Sequence, residues 1–310
     1  MKPNEFLNIV KHSIESGQID EKILSHEARF FRGKYILKAM DNVSRLLKIF
    51  NFQDKIIFQE GVPYIILNKV KFVLDNPLFL KHTGRKHLSQ CHNTINFINH
   101  IHLKPRIIID IGACWGEYSL LLAKEFPKSK IFSVEGSPVN FKSFKKNINV
   151  NNEISKIIFP FNLIISDLDG EGTITNNLNT MNVANDVNKS EANVVKVKSK
   201  KLKTFIADNG LKQIDFIKID IEGSELKLLN CLQNNNFKVI QVELINYNNI
   251  KNNIEFIVVL SANFDFFDTK SFKKLNLEQL KVLVTNSLAK QPTIDIFLVN
   301  KNLKLNSFTK

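Results

Sequence analysis

Asp110, Glu135, Asp167 and Asp220 each close a short, mostly apolar run, and two of them lead directly into glycine turns. Those turns read Asp110-Ile111-Gly112-Ala113-Cys114-Trp115-Gly116 and Asp220-Ile221-Glu222-Gly223-Ser224-Glu225. A carboxylate placed this way can accept both hydroxyls of a ribose, hold an ammonium group, or take the proton of an attacking hydroxyl. Glycine between a strand and a helix lets backbone approach a nucleotide-like ligand closely. The spacing D-x-G-x-x-x-G lacks the third glycine of the dinucleotide fingerprint, so pyrophosphate recognition does not follow from it.

The elements that position these residues read as alternating strands and helices. Ile107 to Ile111 is an apolar run without alternation, the pattern of a strand buried on both faces of a parallel sheet. Glu117 to Ala123 follows with helical spacing. Lys130 to Glu135 forms a second strand, and Ser137-Pro138 opens a helix with a capping hydroxyl and a first-turn proline. A third strand is expected from Ile157 to Ile165, ending in Ser166-Asp167, and a fourth from Ile214 to Asp220. All four acids would then share the carboxyl edge, where open α/β sheets bind ligands. Helix capping is the competing explanation for some of them. Strands near Val239, Phe264 and Ile294, with helices between them, complete the pattern.

The run Ile109-Asp110-Ile111-Gly112-Ala113, with Gly116, Tyr118 and Ser119, resembles the first motif of the FkbM family of S-adenosylmethionine-dependent methyltransferases. Glu135 with Pro138, Asn140 and Phe141 resembles the next motif, and Ser166-Asp167 with Asp169-Gly170 the one after. Ile214-Asp215-Phe216, Lys218-Ile219-Asp220, Glu222-Gly223 and Glu225 resemble the last and most specific one. The resemblance runs from residue 105 to 245. It implies an α/β fold of the class I methyltransferase (Rossmann-like) type, mostly parallel with a final antiparallel strand. It also implies S-adenosylmethionine as cofactor and methyl transfer to a hydroxyl of a sugar, glycan or secondary metabolite. On this resemblance Asp110, Gly112, Ala113, Gly116 and Tyr118 shape the pocket for the methionine portion. Glu135, with Gly136 and Ser137, holds the ribose, and Ser166 with Asp167 borders the adenine. Asp220 and Glu222 stand where the methyl group points, and either could accept the hydroxyl proton. Binding the cofactor's amino group and capping the next helix are equally good roles for that pair. Three positions depart from the family: Cys114 where Asn is usual, Gly136 where Pro is usual, and Lys203 where an Asp commonly stands.

Composition sets the outer bounds. The 310 residues can hold one α/β domain, assigned to 105–310, and an N-terminal extension, assigned to 1–104. Cys91, Cys114 and Cys231 are too few and too scattered for a disulfide framework or zinc site, and no metal is expected. The start has no apolar signal region, and no apolar run is long enough to span a bilayer, so a cytoplasmic protein is expected. The formal charge of +13 arises from 43 basic and 30 acidic residues. It suits an anionic acceptor or a membrane surface. No nucleic-acid-binding motif accompanies it, which disfavours nucleic acid.

Residues 1–55 read as two or three helices, with Ile36, Leu37, Met40, Val43, Leu46, Leu47 and Phe50 forming an apolar stripe for the core or for a second copy in a homo-oligomer. Peripheral membrane docking through Phe30 and Phe31 is the sharper alternative. A hairpin should follow from Lys55 to Leu74. The segment 79–102 carries His82, His87, His92, His100 and His102 and could cover the cofactor cleft, offering a histidine base. The Asn-rich stretch 176–190 suits a substrate loop. The rival readings are an RNA methyltransferase and a non-catalytic binding module on the same fold.

Overall fold

The computed structural model describes residues 56–59, 62–73, 88–175, 194–233 and 236–303. The helices expected over 1–55, His82 and His87, and the Asn-rich stretch lie outside them.

Eight strands form the main sheet. They are β4 (Ile107–Ile111), β5 (Lys130–Val134), β6 (Ile158–Phe161), β10 (Ile214–Ile219), β11 (Phe237–Ile245), β12 (Phe264–Asp268), β13 (Lys274–Leu275) and β14 (Thr293–Asn300). Their order is β13-β12-β14-β11-β10-β4-β5-β6. From β6 to β11 all pairings are parallel, and β14 inserts antiparallel between β11 and β12. This is the class I methyltransferase architecture. β10 is buried at every position, and β4 at all but its first. Such strands need apolar cover on both faces.

The cover comes from helices α1 (Leu88–His100) and α2 (Glu117–Glu125) on one side. There Ile98, Leu120 and Leu122 pack with Ile108, Phe216 and Phe297. Phe97 of α1 stacks on Phe297 with centroids 4.1 Å apart. On the other face α4 (Leu202–Asp208), α5 (Ile250–Leu260) and α6 (Leu277–Leu288) bury Phe205, Ile257 and Leu280 against Ile217 and Ile240. Each such side chain contributes about 1.5–3 kcal/mol by leaving water. Helix α3 (Pro138–Asn149) follows β5, its amide of Asn140 donating to the Ser137 hydroxyl. That is the expected cap.

The N-terminal hairpin has a third strand: β1 (Ile56–Gln59), β2 (Val62–Leu67) and β3 (Val70–Val73) form one antiparallel sheet. Side chains of the α3 region satisfy its edge. The Val73 and Lys71 amides donate to Asn147 Oδ1 at 2.8 Å and Asn151 Oδ1 at 2.9 Å, and Asn151 Nδ2 returns a bond to the Lys71 carbonyl. The described part of the segment expected to cover the cleft is α1, a core helix with Cys91, Thr94, Phe97 and Ile98 fully buried.

The expected third strand is two strands. β6 ends at Phe161, and the chain then leaves the main sheet for β7 (Ile164–Ser166). β7 joins β9 (Val194–Lys201) and β8 (Gly170–Thr175) in a separate sheet of order β7-β9-β8. Asn162 marks the break, donating its side-chain amide to the carbonyls of Glu135 and Gly136.

Candidate active site

Strand register brings the acids together. In β10 Lys218 lies beside Asp110 of β4 on one side and Gln241 of β11 on the other. Side chains alternate along a strand, so Asp220 falls on the same face as Lys218, one step toward the carboxyl edge. The turn after β4 closes onto β10 at Gly112, which has φ +83°, and a Cβ there would lie 1.8 Å from the Asp220 carbonyl oxygen. At Gly116, φ +92°, a Cβ would strike the Phe144 ring at 2.2 Å. Only glycine satisfies both the dihedral and the space. The Asp220 amide donates to the Ile111 carbonyl at 3.0 Å, while the Gly112 and Ala113 amides both donate to the Val134 carbonyl at 2.9 Å. The glycine turn is thereby tied to both neighbouring strands.

Glu135 spans the two loops at this edge. Its Oε1 accepts the Ser137 amide at 2.7 Å and its Oε2 the Cys114 amide at 2.8 Å. Burial pushes its carboxyl up to about 7 against the pull of those two bonds. Asp110 is fully buried; Oδ2 accepts the Ser119 hydroxyl at 2.6 Å, and Oδ1 has no partner among the described residues. Burial raises its pKa, and Lys218 opposes that rise. Lys218 Nζ donates to Asp220 Oδ2 at 2.9 Å, with side chains 5% and 26% exposed. It also lies 4.6 Å from the centroid of the Tyr118 ring.

Beyond β10 the turn holds Glu222 at φ +53°, an uncommon conformation for a side-chain-bearing residue. Glu225 fixes it, its Oε1 accepting the amides of Ile221 at 3.0 Å and Gly223 at 3.1 Å. Glu225 is fully buried, and that burial pushes its carboxyl up to about 7.

The residues read from sequence therefore fall into two groups. Asp110, Gly112, Ala113, Gly116, Tyr118, Glu135, Ser137 and Asp220 converge on the edges of β5, β4 and β10, with Glu222 in the adjoining turn. Tyr118 is buried on the inner face of α2, its hydroxyl accepting from Gln241. Ser166 and Asp167 belong to the small sheet instead, which corrects the expectation that all four acids crown strands of one sheet. The Ser166 hydroxyl bonds with Ser199 and Leu168, and Asp167 is exposed. The chain leaves the main sheet before these residues are reached. Gly136 packs against the small sheet: a Cβ there would press on Ile164 Cγ2 at 2.5 Å. Cys114 takes φ +53° and turns its amide toward Glu135. Lys203 lies in the first turn of α4, whose start is bonded by the Asp169 carboxylate through the Lys201 amide and Thr204 hydroxyl. His100 and His102 lie at the C-terminal end of α1, ahead of the amino end of β4 and so opposite the acids. His92 bonds with Asn68.

Three positioning residues were not singled out from sequence. Lys218 and Glu225 lie within the last motif, where a lysine inside an apolar strand and an acid after a glycine turn were the available signals. Asn162 carried no signal, because its partners are 27 and 26 positions away.

Residues 110–275 match the family model described as the methyltransferase FkbM domain. The chain belongs to this family. Among curated proteins it is similar to "Methyltransferase 1" of Beauveria bassiana, at 24% identity over 154 residues, covering 43% of this chain and 61% of that protein. It is also similar to "Methyltransferase sdnD" of Sordaria araneosa, at 24% over 164 residues, covering 43% and 63%. The match thus spans a little over three fifths of each relative's length. Among solved structures the METTL16 methyltransferase domain aligns with a TM-score of 0.44 at 14% identity, covering 86% of this chain and 80% of that one.

Proposed function

We propose that this FkbM-family protein is an S-adenosylmethionine-dependent O-methyltransferase acting on a hydroxyl of a sugar, glycan or secondary-metabolite acceptor. The observation that carries the reading is the convergence of Glu135, the Gly112–Gly116 turn and Asp220 on one carboxyl edge. The donor set fits the cofactor. Each Glu135 oxygen accepts one backbone amide. A second lone pair on each remains for the two ribose hydroxyls. Asp110 Oδ1, a buried acceptor lacking a donor among the described residues, suits a donor supplied by the ligand or by a water beside it.

When bound, the cofactor supplies a methyl group already activated on a sulfonium. The chain's own tasks are alignment and proton handling. The glycine turn and Glu135 fix the nucleoside, so that the acceptor oxygen meets the methyl carbon in line. Asp220, 26% exposed and pinned by Lys218 through Oδ2, is placed to take the hydroxyl proton, with Glu222 in the same turn as the second candidate.

Transfer of an isotope-labelled methyl group tests the reading, with sugars, glycans, hydroxylated metabolites and RNA offered in parallel. Label fixed as an ether on a hydroxyl acceptor supports it. Label in RNA alone replaces it with the RNA reading, and cofactor binding without any transfer favours the non-catalytic module.

A further inference from the structure

A turn with three left-handed residues does not hold its shape alone. Gly112, Cys114 and Gly116 take φ of +83°, +53° and +92°. Such conformations persist where neighbouring structure fixes them from several sides. Strand β5 and its end supply two restraints, through the Val134 carbonyl and the Glu135 carboxylate. Helix α3 supplies a third, and that one reaches back to the N-terminal sheet. Phe144, Asn147 and Asn151 follow at steps of three and four, which sets them on one face of α3 and its continuation. Phe144 closes on Gly116. Asn147, 1% exposed, stands between two partners: its Nδ2 donates to the Trp115 carbonyl at 2.9 Å, and its Oδ1 accepts the Val73 amide of β3 at 2.8 Å. Asn151 pairs with the Lys71 amide at 2.9 Å and the Lys71 carbonyl at 2.7 Å. β3 is the edge strand of its sheet, and an edge leaves such groups without a neighbouring strand. The two asparagines take that strand's place. Val70 and Phe72 complete the contact, fully buried in the core that also holds Trp115 and Phe144.

We propose that Asn147 is a positioning residue for cofactor binding, joining the N-terminal sheet to the glycine turn so that the docking of one fixes the other. The inference rests on the S-adenosylmethionine reading above. It goes further by extending the site to β3, a strand that carries none of the cofactor motifs. One side-chain amide satisfies both partners, so a displaced β3 costs the turn a restraint. By linkage, a ligand that needs the ordered turn tightens the docking of the sheet by the same factor. The turn also carries its own reporter, since Trp115 is the chain's sole tryptophan and is 4% exposed.

Asn147→Ala keeps a good helix former in α3 and removes both bonds. In the ligand-free variant the Trp115 emission should shift to the red and its quenching by acrylamide should rise. Calorimetric affinity for S-adenosylmethionine and for S-adenosylhomocysteine should fall about tenfold, the usual weight of a buried acceptor left unpaired. A merely structural asparagine would lower the unfolding midpoint and leave the affinity of the folded protein unchanged. Amide hydrogen exchange reads the other end of the link. In the wild type, S-adenosylhomocysteine should slow exchange in β3 more than in α6, which packs on the opposite face of the main sheet. Asn147→Ala should abolish that difference. Wild-type affinity in a folded Asn147→Ala protein, or no excess slowing of β3 in the wild type, overturns the proposal. Should Asn147→Ala not fold, the wild-type exchange result decides alone. If the wild type binds neither ligand, the cofactor reading falls and takes this inference with it, whereas failure of the Asn147 role leaves binding intact.

Discussion

Glu135 should make cofactor affinity depend on pH in a direction and size that the structure specifies. Its carboxyl is pushed from 4.5 to about 7, first by burial, with the Ser137 and Cys114 amides holding it below what burial alone would give. Only the ionised form offers acceptors to both ribose hydroxyls, since the protonated form loses one oxygen to its own O–H. With a pKa near 7, about half the protein is competent at pH 7 and roughly one tenth at pH 6, so affinity should fall about tenfold per unit below pH 7 and level off above pH 8. Glu135→Gln keeps the shape but loses the charge, and each charge-assisted bond is worth about 1.5–3 kcal/mol. At pH 8 that variant should therefore bind roughly 10- to 100-fold more weakly, with no pH dependence across this range. Titration calorimetry from about pH 5.5 to 8.5 reads both effects. Glu135→Gln binding as tightly as the wild type, or a wild-type affinity that is flat or rises on acidification, would refute the ribose assignment.

Other consequences can be checked on the same preparations. Gly112→Ala combines a Cβ 1.8 Å from the Asp220 carbonyl oxygen with φ +83°. It should lose about 2–4 kcal/mol in urea unfolding. Glu225 has a folded pKa raised from 4.5 to about 7, so its contribution is complete below the unfolded value and is lost as pH rises through the folded one. The wild type should lose up to about 3 kcal/mol over that window from this residue, and Glu225→Gln should flatten that part of the curve of urea midpoint against pH. Asp220→Asn and Glu222→Gln should chiefly lower turnover, by about 10²-fold or more for whichever is the base. Steady-state kinetics showing a loss in KM alone would reassign that residue to binding.

The strands beneath the site were legible for a specific reason. β4 and β10 lie between two helical layers, so their sequences are apolar without alternation and end abruptly where the sheet does. The start of helix α6 carries a local signal, the reciprocal capping box of Asn276 and Gln279. The acids and glycines were legible as a set, since each needs a particular residue type at a strand end. What stayed hidden depends on partners distant in sequence. Gly170–Thr175 is too polar to announce a strand, and it forms one by pairing with Val194–Lys201. The run from Ile157 to Ile165 gave no sign that its two halves serve different sheets. Lys218 reads as an interruption of an apolar strand until register sets Asp110 beside it.

The central claim is that Glu135 and the glycine turn hold S-adenosylmethionine. The most direct test is calorimetric titration of the full chain with S-adenosylmethionine and S-adenosylhomocysteine at pH 8, beside Glu135→Ala. The account predicts one-to-one binding of both ligands, on the order of 1–100 μM, that is abolished or severely weakened in the variant. Binding of neither ligand to the wild type, or equal binding by Glu135→Ala, would contradict it.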